Sequence, residues 1–303
     1  MIESMPAILF GQLSRRTFLE RASRAVAVTS MGVAMKVICS AAGADSVRLA
    51  LLSDLHIAAN PNDANRGFLP TQNLIAVLPQ VIASQPDGAI INGDLARMSG
   101  ELADYEAVCS LLLQQAPQIP IYLGLGNHDD RANFSMVFNK PAGARQAVPD
   151  KHVLVLEWPL MRIILLDSLL YPTKTAGLLG KPQRQWLGQY LEISDARPTV
   201  IFVHHTLGDG DGDLLDVDRL FEIIRPHRKV KAIFYGHSHE YSMGRHQGVH
   251  LINLPAVGYN FTDKEPVGWI EAQFTPQGAD LKLHAIAGNR AQNGSRALIS
   301  WDI

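Results

Sequence analysis

Short apolar runs recur along this chain, and five of them are followed at once by a polar cluster. The runs are rich in branched residues, and this composition and length are typical of buried β-strands. They cover Val47–Leu52, Gly88–Asn92, residues 119–125, residues 199–203 and Val230–Tyr235. The polar residues therefore begin where each predicted strand ends.

Helical periodicity fills the intervals between these strands. Apolar residues return every three or four positions in segments 71–84, 101–115, 182–192 and 218–225, which predicts four amphipathic helices. Further strands are predicted at 153–158, 162–167, 249–254, 268–274 and 281–287. Alternating strands and helices followed by a strand-rich tail predict an α/β protein, in which binding residues gather at the carboxyl ends of the strands.

The polar clusters hold residue types that bind metal ions. They read Asp54-Leu55-His56, Gly93-Asp94, Gly126-Asn127-His128-Asp129, His204-His205 and Gly236-His237-Ser238-His239. Oxygen and imidazole ligands suit Mn, Fe or Zn, and no cysteine lies in any cluster, which excludes a structural cysteine-type zinc site. Two ions about 3.5–4 Å apart require a bridging ligand. Asp94 is the natural bridge, because its cluster offers no other ligand.

Each cluster alone has an ordinary explanation. Gly-Asp is a common turn, Gly-Asn-His-Asp fits a tight turn, and a pair of adjacent histidines is as often a surface feature as a ligand pair. The joint occurrence of five clusters behind five predicted strands is what indicates a metal centre.

In their order and wording the five clusters resemble the calcineurin-like metallophosphoesterase family. Its pattern runs D-x-H, G-D, G-N-H-[DE], a strand ending in H, and G-H-x-H. The resemblance extends from about Val47 to about Phe261, and segments 126–131 and 248–256 are most similar to bacterial cyclic-nucleotide and glycerophosphodiester phosphodiesterases. A departure occurs at Thr206-Leu207-Gly208-Asp209-Gly210, where relatives commonly have prolines. The resemblance implies a four-layer α/β/β/α sandwich of two facing mixed sheets flanked by helices.

The resemblance also implies a set of seven ligands for two divalent or trivalent ions. The first ion would be bound by Asp54, His56 and His239, the second by Asn127, His204 and His237, with Asp94 between them. His204 is preferred because the family ligand is the first polar residue after the strand, and His205 stays a possible substitute.

Two further residues receive catalytic roles from the same resemblance. His128 would be the general acid or a phosphate-binding group, because histidine can carry a proton at operating pH and give it to a leaving alkoxide. Asp129 would orient the His128 imidazole. A hydroxide bridging the metals would then attack phosphodiester bonds of a small phosphate-ester substrate. A phosphomonoesterase or nucleotidase would use the same ligands, and a non-catalytic metal-stabilised envelope binding protein is the third possibility.

The first 44 residues predict an export signal that precedes a catalytic domain of residues 45–303. Segment 14–19 matches the twin-arginine pattern, an apolar stretch follows at 25–35, and Ala42-Gly43-Ala44 resembles a cleavage site. The apolar stretch is too short to span a bilayer, so no stable membrane anchor is expected. The predicted partner is the twin-arginine export machinery and the predicted location is the periplasm or cell exterior. The alternative is an amphipathic cytosolic helix.

Composition narrows the remaining possibilities. The chain has 303 residues of which 47% are hydrophobic, enough for a substantial core. A net charge of −2 without a basic cluster gives no reason to expect nucleic acid as a partner. Arg66 and Arg131 are candidate phosphate contacts, and each is equally well explained as a solvated surface arginine.

Overall fold

The computed structural model of the protein describes residues 45–139 and 142–301. The export signal predicted at residues 1–44 lies outside the described residues. The strands are β1 Val47–Leu52, β2 Gly88–Asn92, β3 Ile121–Gly124, β4 Ala144–Arg145, β5 Leu154–Glu157, β6 Arg162–Leu165, β7 Thr199–Phe202, β8 Val230–Tyr235, β9 Ser242–His246, β10 Val249–Asn253, β11 Pro266–Thr275, β12 Gly278–Gly288 and β13 Arg296–Ser300. The helices are α1 Pro70–Ala83, α2 Leu102–Gln115, α3 Arg131–Val137, α4 Gly180–Ile193 and α5 Val217–Ile224.

The strands form two mixed sheets. One has the order β13-β12-β11-β1-β2-β3, in which β1, β2 and β3 are parallel and the other neighbours antiparallel. The other has the order β4-β5-β6-β7-β8-β10-β9, with β6, β7, β8 and β10 parallel. Parallel neighbours require crossover connections, and the helices provide most of them.

Three buried clusters divide the molecule into four layers. The central cluster joins the inner faces of both sheets, with Leu51, Phe202, Phe234 and Ile270 among its members. A second cluster packs α1 and α2 on the outer face of the first sheet, and a third packs α4 and α5 on the outer face of the second. Burial of apolar side chains on both faces of both sheets stabilises this arrangement. It confirms the four-layer α/β/β/α sandwich that the sequence resemblance implies.

Four elements were not predicted from the sequence pattern. They are α3, β4, β9 and β13, of which β4, β9 and β13 lie at sheet edges. Strand β9 is exposed at every position, and β13 is buried at only one. Because an edge strand need not bury an alternating face, the apolar pattern carries little information about it.

Among the described residues, no helix is both long enough and apolar enough to cross a bilayer. This finding concerns only the residues that the structure describes.

Arg131 is part of the fold rather than a free phosphate contact. Its guanidinium donates two hydrogen bonds of 2.7 Å to the fully buried carboxylate of Asp167, which follows β6, and a third to the carbonyl of Leu169. The same carboxylate accepts from the backbone N–H groups of His152 and Leu169. A buried carboxylate needs such partners, so this arginine is committed to joining α3 to the end of β6.

Candidate metal centre

The five polar clusters meet where the two sheets face each other. Those after β1, β2 and β3 come from neighbouring parallel strands of the first sheet, and those after β7 and β8 from neighbouring strands of the second. Asn92 joins the two sheets at this point: its side-chain amide donates to the carbonyl of Val203, and its own carbonyl accepts from Nδ1 of His204, at 2.8 Å. The carboxyl ends of both sets of strands therefore form a single site.

The first group of donors consists of Asp54, His56 and His239, all fully buried. Nε2 of His239 lies 3.4 Å from Oδ1 of Asp54 and 3.0 Å from Nε2 of His56. The carbonyl of Tyr259 accepts from Nδ1 of His239 at 2.5 Å, which leaves Nε2 as the free donor atom. These are the three residues predicted for the first ion.

The second group consists of Asp94, His204 and His237. Nε2 of His204 lies 3.4 Å from Oδ2 of Asp94, and Oδ2 of Asp94 is also 3.7 Å from Nε2 of His56. The Asp94 carboxylate thus lies within reach of both groups, as a bridging ligand must. A third group, His56, Asp94 and His128, shows that the His128 imidazole borders the same centre.

Backbone strain is concentrated at the ligand positions. The residues Asp54, His56, Asp94, His237 and His239 all have φ between 51° and 72°. Left-handed backbone costs a residue with a side chain about 1–2 kcal/mol, so surrounding interactions must hold these loops. Backbone hydrogen bonds do so, from Asp54 N to Gly93 O at 3.1 Å and from His56 N to Asp94 O at 2.9 Å.

The electrostatics of the centre favour bound cations. Burial would lower the pKa of His204, but the carboxylates of Asp94 and Asp54 outweigh it and raise that pKa to about 10. Burial likewise would raise the pKa of Asp94, and His204 nevertheless holds it well below its ordinary value. Two carboxylates in a buried site thus recruit positive charge from the nearest available group. A metal ion satisfies the same demand without protonating a ligand.

The donor atoms also fit metal ions in detail. Oδ1 of Asn127 and Nε2 of His204 are buried and lack a hydrogen-bond partner among the described residues. Buried polar atoms rarely stay without partners, and an oxygen and an imidazole nitrogen are donors that Mn, Fe and Zn accept. The set therefore suits two such ions.

His205 is also buried beside the centre, and its Nε2, like that of His204, lacks a hydrogen-bond partner among the described residues. Its Nδ1 shares a hydrogen bond of 2.7 Å with Oγ of Ser168, and its ring lies against that of His237 at 4.8 Å between centroids. It belongs to none of the three donor groups, whereas His204 does. The geometry therefore favours His204 over His205 as the ligand after β7.

The imidazole of His128 is held without being buried. Its Nδ1 bonds the carbonyl of Met98 at 2.7 Å, and its backbone N–H donates to Oδ1 of Asp94 at 2.8 Å. A carbonyl can only accept, so Nδ1 carries the proton and Nε2 is the nitrogen available to a substrate.

The expectation that Asp129 orients His128 is wrong. The Asp129 carboxylate accepts instead from the backbone N–H groups of Leu95, Ala96 and Gly126 and from the hydroxyl of Tyr105. It fastens the Asp94 loop to the Asn127 loop, because a carboxylate can accept several donors at once. The carbonyl of Met98 positions His128 instead. Because every residue has a backbone carbonyl, the residue types in the sequence could not indicate this contact.

Three residues that contact the proposed ligands were not predicted from the sequence. Tyr259 and Phe261 contact the ring of His239, with centroids 4.6 and 4.3 Å away, and Oγ of Ser53 donates to Asp54 at 2.5 Å. Ser53 directly follows the predicted strand Val47–Leu52, and its position could have indicated it. Tyr259 and Phe261 follow the predicted strand 249–254 by five and seven residues, but they belong to no polar cluster. A cavity of about 480 Å³ opens over the centre, and its lining includes Tyr259 and Phe261 as well as Thr173, Thr175, Thr206 and Asp213.

Gly126 provides a sharp test of this centre. A Cβ at Gly126 would lie 2.2 Å from Oδ1 of Asp94 and 2.6 Å from Nε2 of His204, so Gly126→Ala must displace both donors. We expect this variant to lose at least one metal ion per chain, measured by elemental analysis of the purified protein. The control is Gly124→Ala, whose nearest contact would be an ordinary 3.4 Å. Full metal content in Gly126→Ala would contradict the assignment.

Comparisons with known proteins agree with this geometry. Residues 47–241 match the calcineurin-like phosphoesterase family. A probable cyclic nucleotide phosphodiesterase from Synechococcus sp. is 29% identical over 79% of this chain and 92% of its own length. The glycerophosphodiester phosphodiesterase GpdQ from Enterobacter lignolyticus is 26% identical over 72% of this chain and 81% of its own length.

Solved structures agree on the fold. A dimetal phosphatase from Danio rerio superposes with a TM-score of 0.67 at 15% identity, covering 84% of this chain and 99% of the other. Such low identity concerns the fold alone. The family match over residues 47–241 confirms the resemblance seen in the five motifs. It identifies this chain as a member of the calcineurin-like phosphoesterase family.

Proposed function

We propose that this protein hydrolyses phosphodiester bonds of small molecules with two metal ions bound at the centre described above. It is a hydrolase of a metal-dependent phosphoesterase family. The observation that carries the proposal is the convergence of two largely buried donor groups on one shared carboxylate, Asp94, with a free imidazole nitrogen of His128 beside them.

The protein's own residues divide the work. The predicted ligands Asp54, His56 and His239 would hold one ion, Asn127, His204 and His237 would hold the other, and Asp94 would be shared between them. Bound metal ions supply a water of lowered pKa and neutralise charge on the phosphoryl oxygens.

His128 completes the site on the substrate side. The carbonyl of Met98 accepts the Nδ1 proton, so in the doubly protonated imidazolium it is the Nε2–H that would bond the leaving oxygen of the ester and transfer its proton, leaving a neutral imidazole. Half-buried at the cavity wall, the imidazole is open to substrate while its orientation is fixed.

Preference for diesters is supported by the relatives. Those described above carry the names of cyclic nucleotide and glycerophosphodiester phosphodiesterases. The donor set is compatible with Mn, Fe and Zn, since all three accept imidazole and carboxylate ligands.

Reconstitution of metal-free protein tests the proposed reaction. We expect Mn²⁺ to restore hydrolysis of bis(p-nitrophenyl) phosphate with a break near two ions per chain, and turnover of this diester to exceed that of p-nitrophenyl phosphate. Both substrates release the same alcohol, so their ratio reports diester selectivity. A protein that binds two ions but hydrolyses only the monoester is a phosphomonoesterase, and one without turnover under any metal is not an esterase.

Replacement of His128 tests the proton donor. We expect His128→Ala to keep both metal ions but to slow hydrolysis of an alkyl diester such as glycerophosphoethanolamine by about 100- to 10,000-fold. The loss on bis(p-nitrophenyl) phosphate will be much smaller, because p-nitrophenolate leaves without a proton. Equal loss on both substrates would contradict proton donation by His128.

Export is proposed on the sequence alone. The twin-arginine pattern, apolar stretch and small-residue site within residues 1–44 support passage to the periplasm or cell exterior through the twin-arginine machinery. We expect the Arg15→Lys, Arg16→Lys double variant to remain in the cytoplasmic fraction while the wild-type protein is recovered outside it. Equal distribution of the two proteins would exclude this route.

A further inference from the structure

A tight turn presents Arg66 beside Phe261, one of the residues that line the cavity. Asn65 and Phe68 exchange backbone hydrogen bonds of 2.9 and 2.8 Å, and the two residues between them, Arg66 and Gly67, have φ of 51° and 84°. Two left-handed residues closing such a pair are typical of a type I′ turn, whose first position favours Asn, Asp or Gly. Arginine at this position is therefore disfavoured by its own backbone.

The Arg66 side chain is held over an aromatic wall of the cavity. Its guanidinium carbon lies 4.9 Å from the centroid of the Phe261 ring, a cation–π distance. Phe261 in turn stacks on the first-group donor His239, with centroids 4.3 Å apart and planes inclined by 24°. A contact chain thus runs from the strained turn to a metal ligand.

The positive charge of Arg66 has no anionic partner among residues 45–139 and 142–301. The neighbouring Arg97, by contrast, pairs with Asp63 at 2.8 Å. Within the described residues the five N–H donors of Arg66 make no hydrogen bond, so they are free for a ligand.

We infer that Arg66 is a specificity-determining residue that binds an acidic substituent, a carboxylate or second phosphate, carried by the substrate beyond its scissile diester. The inference rests on the proposed diesterase function. A planar guanidinium with free donors, stacked on the cavity residue Phe261, matches such a group bidentately. The metal ligands cannot bind the acidic substituent, because their donor atoms face the metal centre.

The turn strain distinguishes this role from a structural one. A residue kept for stability at this position would be Asn or Gly, since both accept positive φ at lower cost. The Arg66→Asn variant is therefore expected to unfold at the same temperature as the wild type or at a higher one. Loss of substrate selection without loss of stability is the signature of a side chain retained for binding.

Two matched diesters test the inference on the complete metal-loaded protein. Carboxymethyl p-nitrophenyl phosphate carries the acidic substituent, and carbamoylmethyl p-nitrophenyl phosphate is its neutral isostere with the same leaving group. We expect the wild type to favour the acid by about 5- to 10-fold in kcat/KM, a modest ratio because ion pairs at exposed positions are weak. In Arg66→Asn the ratio should fall to about one, mainly through KM, since this contact binds substrate and transition state alike.

Three further variants give the controls. Arg66→Lys keeps the charge without the planar fork and should retain part of the ratio. Phe261→Leu removes the ring that holds the guanidinium and should also lower the ratio. Arg97→Met removes the neighbouring paired cation and should leave the ratio unchanged.

Each alternative outcome decides the matter. An unchanged ratio in Arg66→Asn would overturn the inference. If both esters also lost activity equally, Arg66 would instead contact the scissile phosphate. Wild-type hydrolysis of both esters with no preference would refute the acidic substituent while leaving the diesterase function intact. Absence of wild-type turnover on both would overturn the proposed function and this inference with it.

Discussion

Two carboxylates buried together at the junction of the sheets set the terms for the rest of the structure. Asp54 and Asp94 are almost inaccessible to water, and charge buried in this way must be compensated. The surrounding histidines can compensate this negative charge by becoming protonated. Alternatively they stay neutral and use their lone pairs to bind metal ions, which then compensate the charge. The demand for cations thus follows from burial itself.

Holding the donors in place strains the chain, and the sandwich offsets that strain. Five ligand positions have left-handed backbone, which isolated loops would not keep. Three buried clusters fix the strands on which those loops begin, and the Asp129 carboxylate links two of the loops through backbone N–H groups. The cost of strain at the site is therefore met by packing in layers remote from the chemistry.

The two sides of the cavity follow different rules. Around the ions, donor types and distances leave little freedom, and Gly126 is required because any side chain there would collide with ligands. The rim is built from loops of other elements: Phe261 from the segment before β11 and Asp213 from the loop before α5. Arg66, from the turn before α1, packs on Phe261. Variation on that rim can change the substrate without disturbing the metals, since function depends on the site rather than on the fold.

The sequence by itself determined the elements that bury apolar faces and the donors that follow them. β1, β2 and β8 begin and end where their apolar runs do, and all seven proposed ligands lie within a few residues of a buried strand. Such positions are legible because a strand buried on both faces and a ligand at its end are local patterns. Edge strands such as β9 and β13 carry no comparable pattern.

Only the tertiary structure decided the contacts between segments distant in sequence. In the folded chain, Asp129 accepts hydrogen bonds from backbone N–H groups rather than from His128, and His128 bonds the carbonyl of Met98. Arg131 pairs with Asp167, whereas Arg66 lies over the ring of Phe261. Carbonyl groups are identical in every residue, and an arginine's partner depends on which loop lies beside it. Residue type therefore specified which chemistry the chain could perform. Packing specified which of several residues of the same type performs it.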